Sequence, residues 1–228
     1  MKTLSKAVAV ASLLSAGIMS ANMANAEVEA SASVASSFLW HGQNLSGGEG
    51  VVAGSLDWYN DAGAYAGIWS GSGDTKQDGY GGSETDLYVG FAGEAGDMSY
   101  DIMYATYLYN QEDTDGNTNN DIDDIAEVAV TLGYDAFSMS LTKNTDTAKN
   151  GDYLFATLGM EVSDFAFTLG NISNSEEIYY ATDYSYIDAA YAYNDSVTFT
   201  FSQIIDQDVA DTYADGGQFV VSYSLPIE

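Results

Sequence analysis

The chain has no cysteine, no arginine, a single proline (Pro226) and a single histidine (His41) among its 228 residues. The absence of cysteine fits an exported protein that does not rely on disulfides. Basic residues are nearly missing: five lysines stand against 34 aspartates and glutamates, for a formal net charge of −29. That balance excludes nucleic-acid binding through a basic surface. Beyond the first 26 residues there is no apolar run of the roughly 18 residues that a membrane-spanning helix requires. No Walker loop, dinucleotide fingerprint or zinc motif occurs.

What is present points elsewhere. Hydrophobic residues make up 46% of the chain and aromatics 13%, including 18 tyrosines, which argues against the disorder that high net charge otherwise suggests. At the amino terminus, Lys2 and Lys6 precede an apolar stretch over 7–18 and the small-residue site Ala24-Asn25-Ala26. This order is that of a secretory signal peptide cleaved near Ala26, leaving residues 27–228 as the mature chain.

The mature chain alternates. Ile102 and Tyr104 are interleaved with Asp101, Met103 and Ala105; Val128, Val130, Leu132 and Tyr134 with Glu127, Ala129, Thr131 and Gly133. The same period of two recurs around Phe137 and Leu141, Phe165 and Leu169, Val197 and Phe201, and Phe219 and Leu225. Successive strand residues point to opposite faces, so these segments read as two-faced strands.

The connections sort by length. Short breaks rich in Gly, Asn and Asp, as hairpins need, occur at 60–63, 93–97, 133–136, 162–164 and 194–195. They alternate with longer polar segments at 41–48, 71–83, 110–121, 144–151, 171–183 and 205–217. Eleven links join twelve strands, an even count with short turns at one end and long loops at the other. The expected fold is therefore all-β: a closed antiparallel transmembrane β-barrel of about twelve strands, its short turns periplasmic and its long loops extracellular. In such a barrel the apolar residues meet outer-membrane lipid and the small polar set faces the lumen, because only a closed sheet satisfies its backbone in hydrocarbon. Aromatics near the strand ends are expected to form two interfacial girdles. Trp58, Tyr59, Tyr65, Tyr134, Phe137, Tyr191 and Tyr193 would lie at the short-turn end, and Trp40, Trp69, Tyr107, Tyr109 and Tyr153 at the long-loop end.

Ser37-Phe38-Leu39-Trp40-His41-Gly42-Gln43-Asn44-Leu45-Ser46 resembles the first strand and loop of the TorF-type family of outer-membrane porins. Residues 54–58, 63–70 and 84–91 look like its second, third and fourth strands. The resemblance implies an outer-membrane barrel acting as a diffusion channel. His41 departs from it, standing where the family carries arginine. So does the ending Leu225-Pro226-Ile227-Glu228, where barrels commonly finish on an aromatic read by the barrel-assembly machinery, an expected partner during biogenesis.

Candidate sites are few. His41 has Ser37 and Ser46 nearby in sequence but no motif that would make a nucleophilic triad, so no enzyme is expected and His41 reads as a loop-rim residue. Asp113, Asp115, Asn117, Asn119 and Asp121 offer oxygen ligands at every second position, a pattern that suits calcium. It lacks the glycine placement and closing glutamate of an EF-hand, and a solvated acidic loop is its plainer reading. Asp86, Asp101, Glu127 and Asp188 fall on the lumen face, with Asp57 alongside, as pore-lining residues. Acidic rings select cations. The sequence therefore points to passive diffusion of small hydrophilic solutes, cations preferred. Its rival is a non-conducting structural or adhesive barrel whose acidic outer loops bind ions or partners.

Overall fold

The computed structural model describes residues 27–72, 82–110, 122, 125–145, 152–174, 182–210, 213 and 215–227. The leader 1–26, the calcium candidates Asp113, Asp115, Asn117, Asn119 and Asp121, and Lys76 and Lys149 lie outside the described residues.

Twelve antiparallel strands close into one barrel. In chain order the elements are β1 (Glu27–Ala35), β2 (Leu39–Trp40), β3 (Gln43–Asn44), β4 (Val51–Tyr59), β5 (Ala64–Ser72), β6 (Ser83–Ala95) and β7 (Met98–Tyr109). They continue with β8 (Ala126–Tyr134), β9 (Phe137–Asn144), β10 (Tyr153–Val162), β11 (Phe165–Asn174), β12 (Tyr184–Ala192), β13 (Val197–Gln207) and β14 (Gln218–Leu225). All but β2 and β3 form the wall, and β1 closes it against β14 through pairs such as Ala32 with Leu225 and Val34 with Tyr223. Closure matters because it removes the edge strands that an open sheet of this size would expose.

The alternation of short and long links is as the sequence predicts. Three of the turns are two-residue hairpins, Gly96-Asp97, Asp135-Ala136 and Ser163-Asp164, each with positive φ at its first residue (67°, 53° and 56°). That is the backbone a type II′ hairpin turn asks for. One register slip occurs between β12 and β13, where Ile205 bulges out of the pairing beside Ser185 and Tyr186.

The outer face carries the apolar alternates. Ile102, Val130, Leu132, Met139, Leu158, Leu169 and Phe219 are all exposed, a belt of hydrocarbon side chains round the barrel. Their alternates point inward and are buried: Ala129 and Glu127 on β8, Asp188 and Ala190 on β12, Thr200 and Ser202 on β13. At four inward glycines the strand leaves room for a ring to lie against the wall. A Cβ at Gly67, Gly71, Gly90 or Gly170 would come within 2.1–2.5 Å of Tyr88, Trp69, Tyr65 or Tyr186.

Two expectations are corrected. Residues 37–46, expected as the first strand and loop, are not part of the wall: β1 ends at Ala35, and β2 and β3 pair only with each other. At the short-turn end Trp58, Tyr134, Phe137, Tyr191 and Tyr193 are exposed, as an outward girdle requires. The girdle assignment fails for Tyr65, Trp69, Tyr107 and Tyr153, all buried, and for Tyr59, Tyr109 and Trp40, which pack against buried clusters inside. Parity explains the failure. Tyr107 and Tyr109 share the face of Asp101 and Ala105, so they must enter the lumen with them.

Candidate lumenal site

The segment between β1 and β4 is the element that defines the interior. β2 and β3 make a miniature hairpin whose two-residue turn is His41-Gly42, with φ of 46° and 81°. Both residues at positive φ is the type I′ arrangement, for which glycine at the second position is favoured. Its base is tied internally. Leu45 N donates to Phe38 O (2.8 Å), Phe38 N to Ser46 Oγ (2.9 Å), and Ser37 Oγ to Asn44 Oδ1 (2.6 Å).

This hairpin crosses the lumen. At one side Phe38 rests on Trp69 of β5, ring centroids 6.0 Å apart. At the other, Trp40 meets Phe155 of β10 edge-on at 5.3 Å, and the His41 imidazole stacks on Phe155 at 4.2 Å. Trp40 packs against both buried clusters, one built from β4 to β7 and the other from β10 to β13. Polar contacts fix the tip. His41 Nδ1 hydrogen-bonds Tyr186 Oη (2.9 Å), Gln43 Nε2 donates to Tyr184 Oη (2.7 Å), Tyr184 Oη donates to His41 O (3.0 Å), and Gln218 Nε2 donates to Gly42 O (3.0 Å).

His41 is therefore not at a loop rim, as its position in a polar link suggests, but half-buried at the tip of an inward hairpin. Desolvation pushes its imidazole down to about 3, since the charged form would lose water without gaining an opposite charge. The two serines near it in sequence hydrogen-bond each other (Ser37 Oγ to Ser46 Oγ, 3.0 Å), while the His41 ring turns to Tyr186. No serine–histidine pair forms.

The carboxylates meet the interior as follows. Asp57 accepts from Ser55 Oγ (2.6 Å) and from Tyr88 Oη. Asp101 accepts from Tyr65 Oη (3.0 Å). Glu127, 4% exposed, accepts from Tyr107 Oη (2.6 Å) and Tyr153 Oη (2.8 Å). Asp86 lies in register between Trp69 of β5 and Tyr107 of β7. Asp188 stands opposite Ser202, and its strand is six places round the barrel from that of Asp86. The structure thus brings Asp86 and Glu127 into one neighbourhood, places Asp188 on the far wall, and sets Asp101 with Tyr65. Glu84, also buried, was missed by sequence reading although it shares the face of Asp86.

Lys143 is the only lysine or arginine among the described residues. It shares the outward face of Met139 and Leu141 and pairs with Asp152. The described interior is consequently acidic and aromatic, with tyrosine hydroxyls donating to Asp57, Asp101 and Glu127. Among the described residues no three acidic or histidine side chains converge on a point that could hold a metal ion.

Solved structures share the architecture. The chain is similar to the KdgM porin, with a TM-score of 0.52 at 7% identity over 89% of this chain and 100% of that one. It also matches the NanC porin, with a TM-score of 0.45 at 12% identity over 86% and 97%. No curated protein matches the sequence. Residues 20–223 match the family Gcw_chp, described as a bacterial protein of unknown function, and the chain belongs to that family.

Proposed function

We propose that this chain is an outer-membrane channel for passive diffusion of small hydrophilic solutes, with cations preferred. The observation that carries the reading is the sign of the interior: each charged side chain described there is a carboxylate, inside a closed wall with an apolar exterior. A barrel with a hydrocarbon belt outside and buried polar groups inside satisfies its backbone in lipid and keeps a hydrated axis. Fixed negative charge between low-dielectric walls concentrates cations and repels anions. The porin-like fold and the resemblance to TorF-type porins agree with this reading. The protein acts without chemistry of its own, after export and insertion by the barrel-assembly machinery.

The hairpin at 38–46 favours a second reading, a non-conducting structural barrel whose acidic outer loops bind ions or partners. An interior bridged from β5 to β10 admits solute only past or around that bridge. Bilayer recordings on the purified protein separate the two. The channel reading expects unitary conductance steps in the native chain and larger steps when residues 38–46 are replaced by a short Gly-Ser link. Silence from both proteins across repeated insertions would refute it and support the structural barrel.

A further inference from the structure

The seam that closes the barrel is shorter than the strand it uses. Residues 32–35 of β1 pair with 222–225 of β14, and there β14 stops. Pro226 follows, a residue that cannot donate to a ladder. The short-turn part of β1, residues 27–31, goes on pairing with β4, from Glu27 with Tyr59 to Ser31 with Ser55. On its other side it has no strand among the described residues, and all five of its residues are exposed. Ser36 N, just past β1, donates across the seam to Val221 O (2.9 Å). Strand residues turn their backbone groups to alternate sides, so Val28 and Ala30 direct N–H and C=O away from β4, to the open side. Val28 is in register with Trp58 and Ala30 with Leu56, both on the exposed apolar face. Unpaired backbone groups at that depth are costly, since lipid offers them no hydrogen bond.

We propose that this open edge of β1 is a docking site for an extended segment of another polypeptide, one in which lysine or arginine alternates with apolar residues. The segment continues the antiparallel ladder past Leu225 and takes up the N–H and C=O groups of Val28 and Ala30, by strand addition. Opposed residues of paired strands share a face, so the edge also selects side chains. Positions opposite Glu27 and Glu29 meet carboxylates on the inner face, and those opposite Val28 and Ala30 lie on the apolar outer face. The surroundings have one sign. The short turns carry Asp61, Asp97, Asp135, Asp164 and Asp195 at exposed positions, and no lysine or arginine is described at that end. Short turns face the periplasm in outer-membrane barrels, so the partner comes from that side. The same edge of a second copy does not fit, because it would bring Glu27 and Glu29 against their counterparts. The site is independent of whether the lumen conducts.

The test uses the purified barrel in detergent micelles and an end-capped peptide, Lys-Val-Lys-Val-Lys. Amide hydrogen exchange at Val28 and Ala30 should be fast in the free protein, while Glu29 and Ser31, which face β4, are protected. With peptide at about ten times its Kd, exchange at Val28 and Ala30 should slow about tenfold, because the bound fraction withholds those amides. Fluorescence anisotropy of labelled peptide should show binding that is lost when both valine amides are N-methylated, and lost when glutamate replaces lysine. In the protein, Ala30→Pro removes an edge donor and should abolish binding. Glu27→Gln with Glu29→Gln leaves the backbone intact and should weaken binding while keeping the slowed exchange at saturation. Equal binding of the N-methylated peptide would reduce the interaction to charge on the acidic rim and overturn strand addition. So would exchange at Val28 and Ala30 that is slow before peptide is added or unchanged once it is bound, and so would no binding at all.

Discussion

The docking of the hairpin tip can be tested with two glycines that share a backbone but not a neighbourhood. Gly42 and Gly48 have φ of 81° and 89°, so alanine at either costs about 1–2 kcal/mol of left-handed strain. A Cβ at Gly48 meets nothing within 4 Å, whereas one at Gly42 would lie 2.6 Å from Tyr186 Cβ and 2.9 Å from Tyr186 Cγ. Carbon atoms pack at about 3.5–4.0 Å, so the tip must retreat by roughly 1 Å. That movement loosens Gln218 to Gly42 (3.0 Å) and His41 to Tyr186 (2.9 Å). At about 0.5–1.5 kcal/mol each, the two bonds together contribute about 1–3 kcal/mol to docking. Gly42→Ala should therefore favour the undocked hairpin roughly 5- to 150-fold over Gly48→Ala. Hydrogen exchange of the Leu39, Trp40 and Gln43 amides reads the docked population, and bilayer conductance reads its consequence. Faster exchange and larger or more frequent openings in Gly42→Ala alone are expected. Indistinguishable variants would refute the docking geometry.

Three further outcomes follow from the same contacts. The His41 imidazole is held down to about 3 against an ordinary value of 6.5, so the folded state keeps it neutral while an undocked hairpin can protonate it. Docking is then fully stable above about 6.5 and weakens as pH falls from there toward 3. Trp40 fluorescence should report acid-induced release that His41→Phe abolishes, and a pH-independent native signal would contradict it. Val130→Lys, on the exposed apolar face, should cost about 2–4 kcal/mol of insertion while Thr131→Lys, on the inner face, costs less; equal loss of heat-modifiable folded protein would contradict the strand register. Tyr107→Phe removes a donor from the buried Glu127 carboxylate and should cost about 1.5–3 kcal/mol, whereas Tyr223→Phe, on the exposed face, should leave the unfolding midpoint close to native.

Much of the wall was legible because a transmembrane strand writes its environment at every second residue. Glu127 against Val128 and Asp101 against Ile102 identify the two faces without help from tertiary contacts. Turn chemistry at 96–97, 135–136 and 163–164 then fixes where each strand reverses. The aromatics misled because ring size alone does not say which side a ring faces. Tyr107 and Trp69 look like interface anchors by position and are lumen residues by parity, a signal present in the alternation itself. The hairpin was hidden for another reason. Phe38, Leu39 and Trp40 form too short an apolar run to mark a fold of their own. Their burial depends on Trp69, Phe155, Tyr184 and Tyr186, which lie far along the chain. Only His41-Gly42, a pair suited to positive φ between two short extended stretches, hinted at a tight turn there.

A negative interior that admits cations must set the reversal potential of single insertions under a potassium chloride gradient. Potassium is expected to permeate better than chloride, with the preference weakening at molar salt, where the screening length falls to about 3 Å. Neutralising Asp101 and Glu127 together should reduce it. A reversal potential that marks chloride as the more permeant ion in the native protein would contradict a cation-admitting interior.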